Sequence, residues 1–141
     1  MAAAPEVRVN GALGGLPVGA VDAAVRGVLR GERRRATVHV TFVGKHTMRA
    51  LNARYLGHRG ATDVLSFPLL QPDGAVTGDV YICRYAAARN AREHGVPVRH
   101  ELLRLVIHGT LHVLGWDHPD GASRLQSAMW RRQEQYLAAL T

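Results

Sequence analysis

The stretch HGTLHVLGWDH, residues 108–118, combines a helical apolar pattern with three closely spaced histidines. His108 and His112 are four residues apart, so a helix places them one turn apart on the same face, about 6 Å along its axis. Gly115 can end such a helix in a left-handed conformation, which brings His118 back toward the same point. Three neutral imidazoles leave a fourth tetrahedral position open, as in a catalytic rather than a structural zinc site. The stretch therefore predicts one zinc ion bound by these three histidines.

The residues that precede this stretch predict a helix that is apolar on most of its circumference. Pro97 suits the start of that helix. The apolar positions that follow recur at helical spacing and include Leu102, Leu103, Leu105, Val106, Leu111 and Leu114. A helix of this kind belongs in the centre of a domain. We therefore expect core packing, rather than a mobile loop, to hold His108 and His112.

The remaining patterns predict short strands and helices without regular alternation. The strands are expected at residues 7–10, 37–43, 63–70 and 78–83. The helices are expected at residues 17–31, 47–55, 84–94 and 123–140. Gly31 is expected to end the first helix, and Pro68 indicates an edge strand or a strand end because it cannot donate to a sheet ladder. These elements predict an α+β fold, a single domain with a small mixed sheet of about four strands packed against helices.

Length and composition are those of one ordinary globular domain, which we assign to residues 1–141. The chain is 47% apolar and 21% charged, and it has neither a low-complexity tract nor an internal repeat. The single cysteine, Cys83, cannot form an internal disulfide, which agrees with a reducing compartment. The first ten residues lack the basic segment, apolar run and cleavage site of a signal peptide. We expect a cytoplasmic protein with no membrane partner.

The charge balance favours a polyanionic partner. The chain carries 18 basic and 11 acidic residues, a net charge of +7, and every basic residue except Lys45 is arginine. Arginine suits bidentate contacts with phosphate, so RNA is a reasonable partner. An arginine-rich and alanine-rich composition can also reflect genomic base composition, and the charge alone does not choose between these interpretations.

The histidine spacing also matches the ligand framework of the long metalloprotease zinc motif, with one residue missing. Those proteases carry a glutamate general base directly after the first histidine, and here the position is Gly109. Peptide hydrolysis by that mechanism is therefore disfavoured. A zinc-bound water could instead attack a phosphodiester, or the metal could polarise a phosphoryl oxygen while the 2′-hydroxyl of the RNA attacks. Asp117 could either orient a histidine or cap the local turn.

Several motifs together resemble those of the YbeY family of bacterial endoribonucleases and rRNA maturation factors. The stretch HGTLHVLGWDH is similar to the family signature, and the similarity extends over nearly all of the chain from Val38 onward. The other matching segments are TDVLSFP at residues 62–68, GDVYIC at residues 78–83 and the C-terminal pattern at residues 129–137. The resemblance implies a zinc-dependent, single-strand-specific endoribonuclease that acts in 16S rRNA 3′-end maturation and ribosome quality control. The implied partners are rRNA, the small ribosomal subunit and ribosome-associated proteins.

One position departs from the family pattern. The family commonly carries an arginine directly after the tyrosine that precedes the second signature, and here Tyr55 is followed by Leu56. Arg59, further along the same loop, could reach the same phosphate and serve as a catalytic residue, because an arginine side chain tolerates such a shift. It could equally be a surface residue.

Two other functions compete with the ribonuclease. The first is a ribosome-assembly binding module in which the metal is structural. Such a site would normally be closed by a fourth protein ligand, and Cys83 lies in a separate strand pattern. The second is a metalloprotease, which Gly109 disfavours.

Overall fold

The computed structural model describes residues 6–11, 15–56, 62–119 and 121–140. Within these ranges the strands are β1 (Glu6–Asn10), β2 (Ala36–Val43), β3 (Val64–Leu70) and β4 (Val76–Cys83). The α-helices are α1 (Val18–Glu32), α2 (Lys45–Leu56), α3 (Arg84–His94), α4 (Val98–Val113) and α5 (Ala128–Leu140). A short 3₁₀ helix, Gly121–Gln126, precedes α5. No helix in these parts of the chain is both long enough and apolar enough to cross a lipid bilayer.

The four strands form one mixed sheet in the order β1-β2-β4-β3. Strands β1, β2 and β4 run parallel, and β3 runs antiparallel to β4. Pro68 lies within β3, opposite Gly78 of β4, and the strand continues to Leu70. Because β3 is an edge strand, the missing N–H of Pro68 is tolerated there. The predicted α+β class and mixed four-stranded sheet are confirmed.

Helix α4 is the centre of the fold, as its apolar circumference predicts. It packs against β3 and β4 on one side and against α1, α3 and α5 on its other sides. Val106, Ile107 and Leu111 are fully buried in this helix. The histidines of α4 are therefore held by core packing.

In the contact between α4 and β4, glycines on each element face valines on the other. A Cβ on Gly109 would lie 2.4 Å from Cγ1 of Val80, and a Cβ on Gly78 would lie 2.5 Å from Cγ1 of Val113. Neither position has room for a side chain. A side chain at either position would push α4, which carries His108, away from β4.

Most observed element bounds lie within two residues of the predicted ones, and two of the differences have a clear structural cause. Helix α1 continues past Gly31 and ends at Glu32, and Arg33 takes the left-handed conformation with φ of 54°. The predicted helix at residues 123–140 is divided into the 3₁₀ helix and α5. The division occurs at Ser127, whose hydroxyl accepts a hydrogen bond of 3.1 Å from the N–H of Trp130 and so caps α5.

Candidate metal centre

The structure brings His108, His112 and His118 together at one point. One ring nitrogen from each lies within 4.8 Å of those of the other two. His108 Nε2 and His118 Nε2 lie 3.3 Å apart. In the part of the chain that the structure describes, these three histidines are the group of potential ligand residues that could hold a metal ion.

The turn after α4 returns His118 to the face that carries the other two histidines. The N–H of Gly115 donates to the carbonyl oxygen of His112, and the N–H of Trp116 donates to that of Leu111, each over 3.0 Å. This pair of bonds is the Schellman motif, in which the residue after the helix is left-handed. Gly115 has φ of 101°, a conformation that favours glycine. The predicted role of Gly115 is confirmed.

His108 is oriented from behind by a buried glutamine of α5. Its Nδ1 lies 2.6 Å from Oε1 of Gln133, whose side chain is fully buried. The amide of Gln133 is fixed in turn, because its Nε2 donates to Oε2 of Glu134 over 3.0 Å. Arg104 donates to both carboxylate oxygens of Glu134, over 3.0 and 2.9 Å. An amide oxygen can only accept, so His108 must carry its proton on Nδ1 and present a lone pair on Nε2.

The other two histidines are oriented by backbone carbonyls. His112 Nδ1 lies 2.9 Å from the carbonyl oxygen of Trp116, and His118 Nδ1 lies 3.0 Å from that of Pro119. Both imidazoles therefore donate from Nδ1 and leave Nε2 available as a ligand atom. Asp117 does not orient a histidine ring. Its carboxylate accepts the backbone N–H of His118 over 2.8 Å and so caps the turn.

The donor set fits a tetrahedral metal ion such as zinc. Zinc–nitrogen bonds of about 2.0–2.1 Å place neighbouring ligand atoms roughly 3.3–3.4 Å apart. The separation of 3.3 Å between Nε2 of His108 and Nε2 of His118 matches that spacing. All three Nδ1 atoms already face carbonyl oxygens, so the three Nε2 atoms are the available donors.

The electrostatic environment keeps the two helical histidines neutral. The pKa of His108 is lowered to about 4, mainly by burial and also by the neighbouring His112, while the hydrogen bond with Gln133 opposes this lowering. Burial also lowers the pKa of His112. Neutral imidazole is the form that binds metals, so no proton has to be displaced near pH 7.

The three histidines open into a cleft of about 890 Å³. One wall is the edge strand β3, with Ser66, Phe67 and Pro68, and the turn that contains Trp116 forms another. Leu56 also lines this cleft, at the end of α2, with 47% of its surface exposed. The apolar residue that stands where the family carries an arginine therefore faces the histidine site. Arg59 lies outside the described residues.

Sequence reasoning missed two residues of this site. Gln133 is 25 positions from His108, and no local pattern marks it as the partner of a histidine. Arg124 of the 3₁₀ helix lines the cleft, and its guanidinium lies 5.9 Å from the ring centroid of Trp130. Its position depends on the break before α5 that the sequence pattern did not predict.

The fold and the histidine cluster define an α+β protein with three imidazoles that could hold one metal ion. A family model described as Endoribonuclease YbeY matches residues 20–141. The chain belongs to this family, which confirms the resemblance noted in the sequence.

Individual relatives agree with the family match. An Endoribonuclease YbeY from Anaeromyxobacter is 45% identical over 97 residues, which cover 66% of this chain and 50% of that protein. An Endoribonuclease YbeY from Xanthomonas campestris is 37% identical over 123 residues, which cover 82% of this chain and 75% of that protein. The solution structure of TM1509 from Thermotoga maritima superimposes with a TM-score of 0.66 at 30% identity, covering 95% of this chain and 88% of that one. The chain thus spans only half of the Anaeromyxobacter relative.

Proposed function

We propose that this protein is a zinc-dependent endoribonuclease specific for single-stranded RNA. The observation that supports it most strongly is the convergence of three imidazoles, each contributing a ring nitrogen within 4.8 Å of the others and each with its Nδ1 directed at a carbonyl oxygen. His108, His112 and His118 would hold the ion. The zinc ion would supply Lewis-acid polarisation of a phosphoryl oxygen and charge stabilisation during cleavage.

The walls of the cleft suit an unpaired RNA strand. Phe67 and Trp116 both line it, and aromatic rings are platforms on which unpaired bases stack. Phe67 is held by edge-to-face contacts with Tyr55 and Tyr81, at centroid distances of 5.3 and 6.0 Å. Arg124 adds a guanidinium to the same cleft, where it could contact a phosphate.

The surroundings of Gly109, as well as the absence of a glutamate there, disfavour the metalloprotease alternative. The position faces Val80, and Ser66 Oγ lies 3.2 Å from where a Cβ would be. A glutamate there would have to enter the helix–sheet contact instead of the cleft. The position that carries the general base in those proteases is therefore unavailable in this fold.

The proposed cellular role is 16S rRNA 3′-end maturation and ribosome quality control in the cytoplasm, with rRNA and the small ribosomal subunit as partners. It is supported by family membership and by the net charge of +7, which suits a polyanionic partner. Residues 1–141 would act as one catalytic domain. We also propose Arg59 as a residue that stabilises charge on the phosphate, because the family arginine is replaced by Leu56.

The direct test is cleavage of a labelled single-stranded RNA by the zinc-loaded protein. Native protein should cleave this RNA but not its duplex, and His112→Ala should lose both zinc and cleavage while retaining its circular dichroism spectrum. His46→Ala removes an exposed histidine outside the cleft and should behave as native protein. Tight zinc binding without cleavage by native protein would favour the assembly module with a structural metal.

Arg59 requires a separate test. Arg59→Lys should lower turnover and leave the zinc content unchanged, because lysine keeps the charge but lacks the fork of donors. Full activity in Arg59→Ala would exclude the proposed role.

A further inference from the structure

A second concave surface lies at the C-terminal end of α1. It has a volume of about 480 Å³ and is lined almost entirely by one residue type: Arg26, Leu29, Arg30, Arg33, Arg34 and Arg35. We call this surface the arginine groove. None of these residues lines the histidine cleft.

The positive charge of the arginine groove is only partly balanced by acidic groups. Asp22 pairs with Arg26 over 3.0 Å. Glu32 lies in the same segment, but its carboxylate accepts the indole N–H of Trp116 over 2.7 Å and pairs with Arg132 over 3.2 Å. Across the described ranges, no carboxylate forms an ion pair with three groove members, namely Arg30, Arg33 and Arg34. The groove therefore presents guanidinium groups to solvent without matching anions.

The backbone at Arg33 adds a second observation. Arg33 N–H donates to the carbonyl oxygen of Arg30 and Arg34 N–H donates to that of Leu29, over 3.1 and 3.0 Å, which is again the Schellman motif. Helices α3 and α4 end in the same motif and place Gly95 and Gly115 at the left-handed position. An arginine there costs about 1–2 kcal/mol of backbone strain. Arg33 therefore adds its guanidinium to the arginine groove at a left-handed backbone position where glycine would cause less strain.

The arginine groove and the histidine cleft are separated by a single turn. Arg34 Nη1 donates to the carbonyl oxygen of Leu114 over 3.3 Å, directly before Gly115. Trp116 lines the cleft on one side of this turn and is bonded to Glu32 of α1 on the other. A strand that leaves the cleft across residues 114–116 would therefore meet the arginines next.

We propose that the arginine groove binds the phosphate backbone of the same RNA strand that occupies the cleft. Guanidinium forks bind phosphate oxygens bidentately and without regard to base sequence, so the groove would add affinity and positioning rather than sequence specificity. This inference rests on the proposed ribonuclease function, and it predicts an extended contact that continues beyond the cleavage site.

The test is the salt dependence of RNA binding by the full chain. Fluorescent single-stranded RNA is titrated with protein in EDTA, which prevents cleavage, over a series of salt concentrations. The slope of log K against log salt is negative, and replacing both Arg30 and Arg33 by Gln should make it less steep by about 1.4. Each phosphate contact to a single strand contributes about 0.7 to its magnitude. The matched control replaces Arg89 and Arg92 of α3 by Gln, which removes the same net charge from exposed positions outside the cleft and the groove.

RNA length provides an independent measurement. For native protein the affinity should rise as the RNA is lengthened from one that fills the cleft to one that also reaches the groove. The Arg30→Gln, Arg33→Gln variant should lose most of that increase, and the control pair should keep it. Equal loss in both variants would show general attraction to a basic protein and would overturn the proposal, as would an unchanged slope in the groove variant.

Two further outcomes separate this proposal from its alternatives. If the groove variant binds RNA normally but no longer binds phosphatidylserine vesicles, the groove is a lipid site and the proposal is wrong. If native zinc-loaded protein fails to cleave RNA while the groove variant still loses its salt slope, the ribonuclease function fails and RNA binding in the groove stands. If native protein cleaves RNA but the groove variant keeps the native salt slope, the ribonuclease function stands and the proposal for the groove is wrong.

Discussion

The C-terminal ends of α1 and α4 use the same backbone motif and differ in the residue at its left-handed position. At the end of α4 this residue is Gly115, and at the end of α1 it is Arg33. The glycine lets the chain turn back without strain and returns His118 to the other histidines. The arginine accepts strain and adds a positive charge to the groove.

The two helix ends also contact each other. Arg34 bonds to the carbonyl of Leu114, and Glu32 bonds to the indole of Trp116. The hydroxyl of Tyr136 also donates a hydrogen bond to the carboxylate of Glu32. Burial, together with this hydrogen bond, raises the pKa of Tyr136 to about 12. The end of α4 therefore positions a histidine, whereas the end of α1 presents positive charge. The two ends are joined by the hydrogen bonds of Arg34 and Glu32.

The largest expected effect comes from removing the glycine at the end of α4. A valine at position 115 disfavours the left-handed conformation by about 1–3 kcal/mol and moves His118 away from the cluster. Because about 1.4 kcal/mol corresponds to tenfold in affinity, Gly115→Val should lower zinc affinity by about 5–150-fold. Competition with a chelator measures this affinity.

Gly95→Val is the control for that variant, because Gly95 ends α3 in the same motif with φ of 66° and has no histidine ligand beyond it. It should lower the free energy of unfolding by a similar amount and leave zinc affinity at the native value. Equal zinc affinity in the Gly115 and Gly95 variants would contradict the geometric role of the α4 turn.

The next largest effect should come from removing Gln133, the side chain that orients His108. Gln133→Leu removes the acceptor for His108 Nδ1 and should reduce zinc affinity about 10–100-fold. Gln135→Leu makes the same change at an exposed position of α5 and should leave zinc affinity unchanged. Imidazole spectra of the zinc-loaded variant should also show a reoriented His108, a change that a purely structural role would not produce.

A smaller effect should appear in the pH dependence of stability. Burial would raise the pKa of Glu134, but the hydrogen bonds from Arg104 and Gln133 outweigh it and hold the pKa below its usual value. The unfolded chain therefore binds a proton more readily than the folded chain, so this stabilisation is complete above the unfolded pKa and is lost as the pH falls through the folded one.

Glu134→Gln keeps the shape of this side chain and removes its charge. Urea unfolding should show a loss on the order of 1 kcal/mol at neutral pH, and the two stability curves should converge in acid. A difference that stays constant down to the lowest pH at which the protein folds would contradict the assignment.

The smallest predicted effect has opposite signs in two measurements. Arg33→Gly relieves the left-handed strain, so the free energy of unfolding should rise by about 0.5–1 kcal/mol after the entropy cost of glycine. The same change should lower the salt slope of RNA binding by about 0.7. If the variant is more stable but binds RNA with the native salt slope, Arg33 does not contact an RNA phosphate.

The sequence predicted helix ends well where the left-handed residue was glycine. The range 84–94 for α3 agrees with the structure because Gly95 ends it. Helix α1 does not stop at Gly31, since its left-handed residue is Arg33 and no pattern marks an arginine for that role. The division before α5 was missed because Ser127 interrupts a run with continuous helical spacing.

The candidate site divides in the same way. The spacing of His108, His112 and His118 lies within eleven consecutive residues, so local helix geometry and one turn were enough to predict their convergence. Gln133 reaches His108 through the packing of α5 on α4, which depends on tertiary contacts that no local pattern contains.

Zinc-edge X-ray absorption on stoichiometrically loaded protein tests the central claim most directly. The account predicts one zinc per chain with three imidazole nitrogens at about 2.0–2.1 Å and a fourth ligand that is oxygen from solvent. A sulfur in the coordination shell, a fourth protein ligand, or fewer than three imidazoles would contradict a catalytic centre built from His108, His112 and His118.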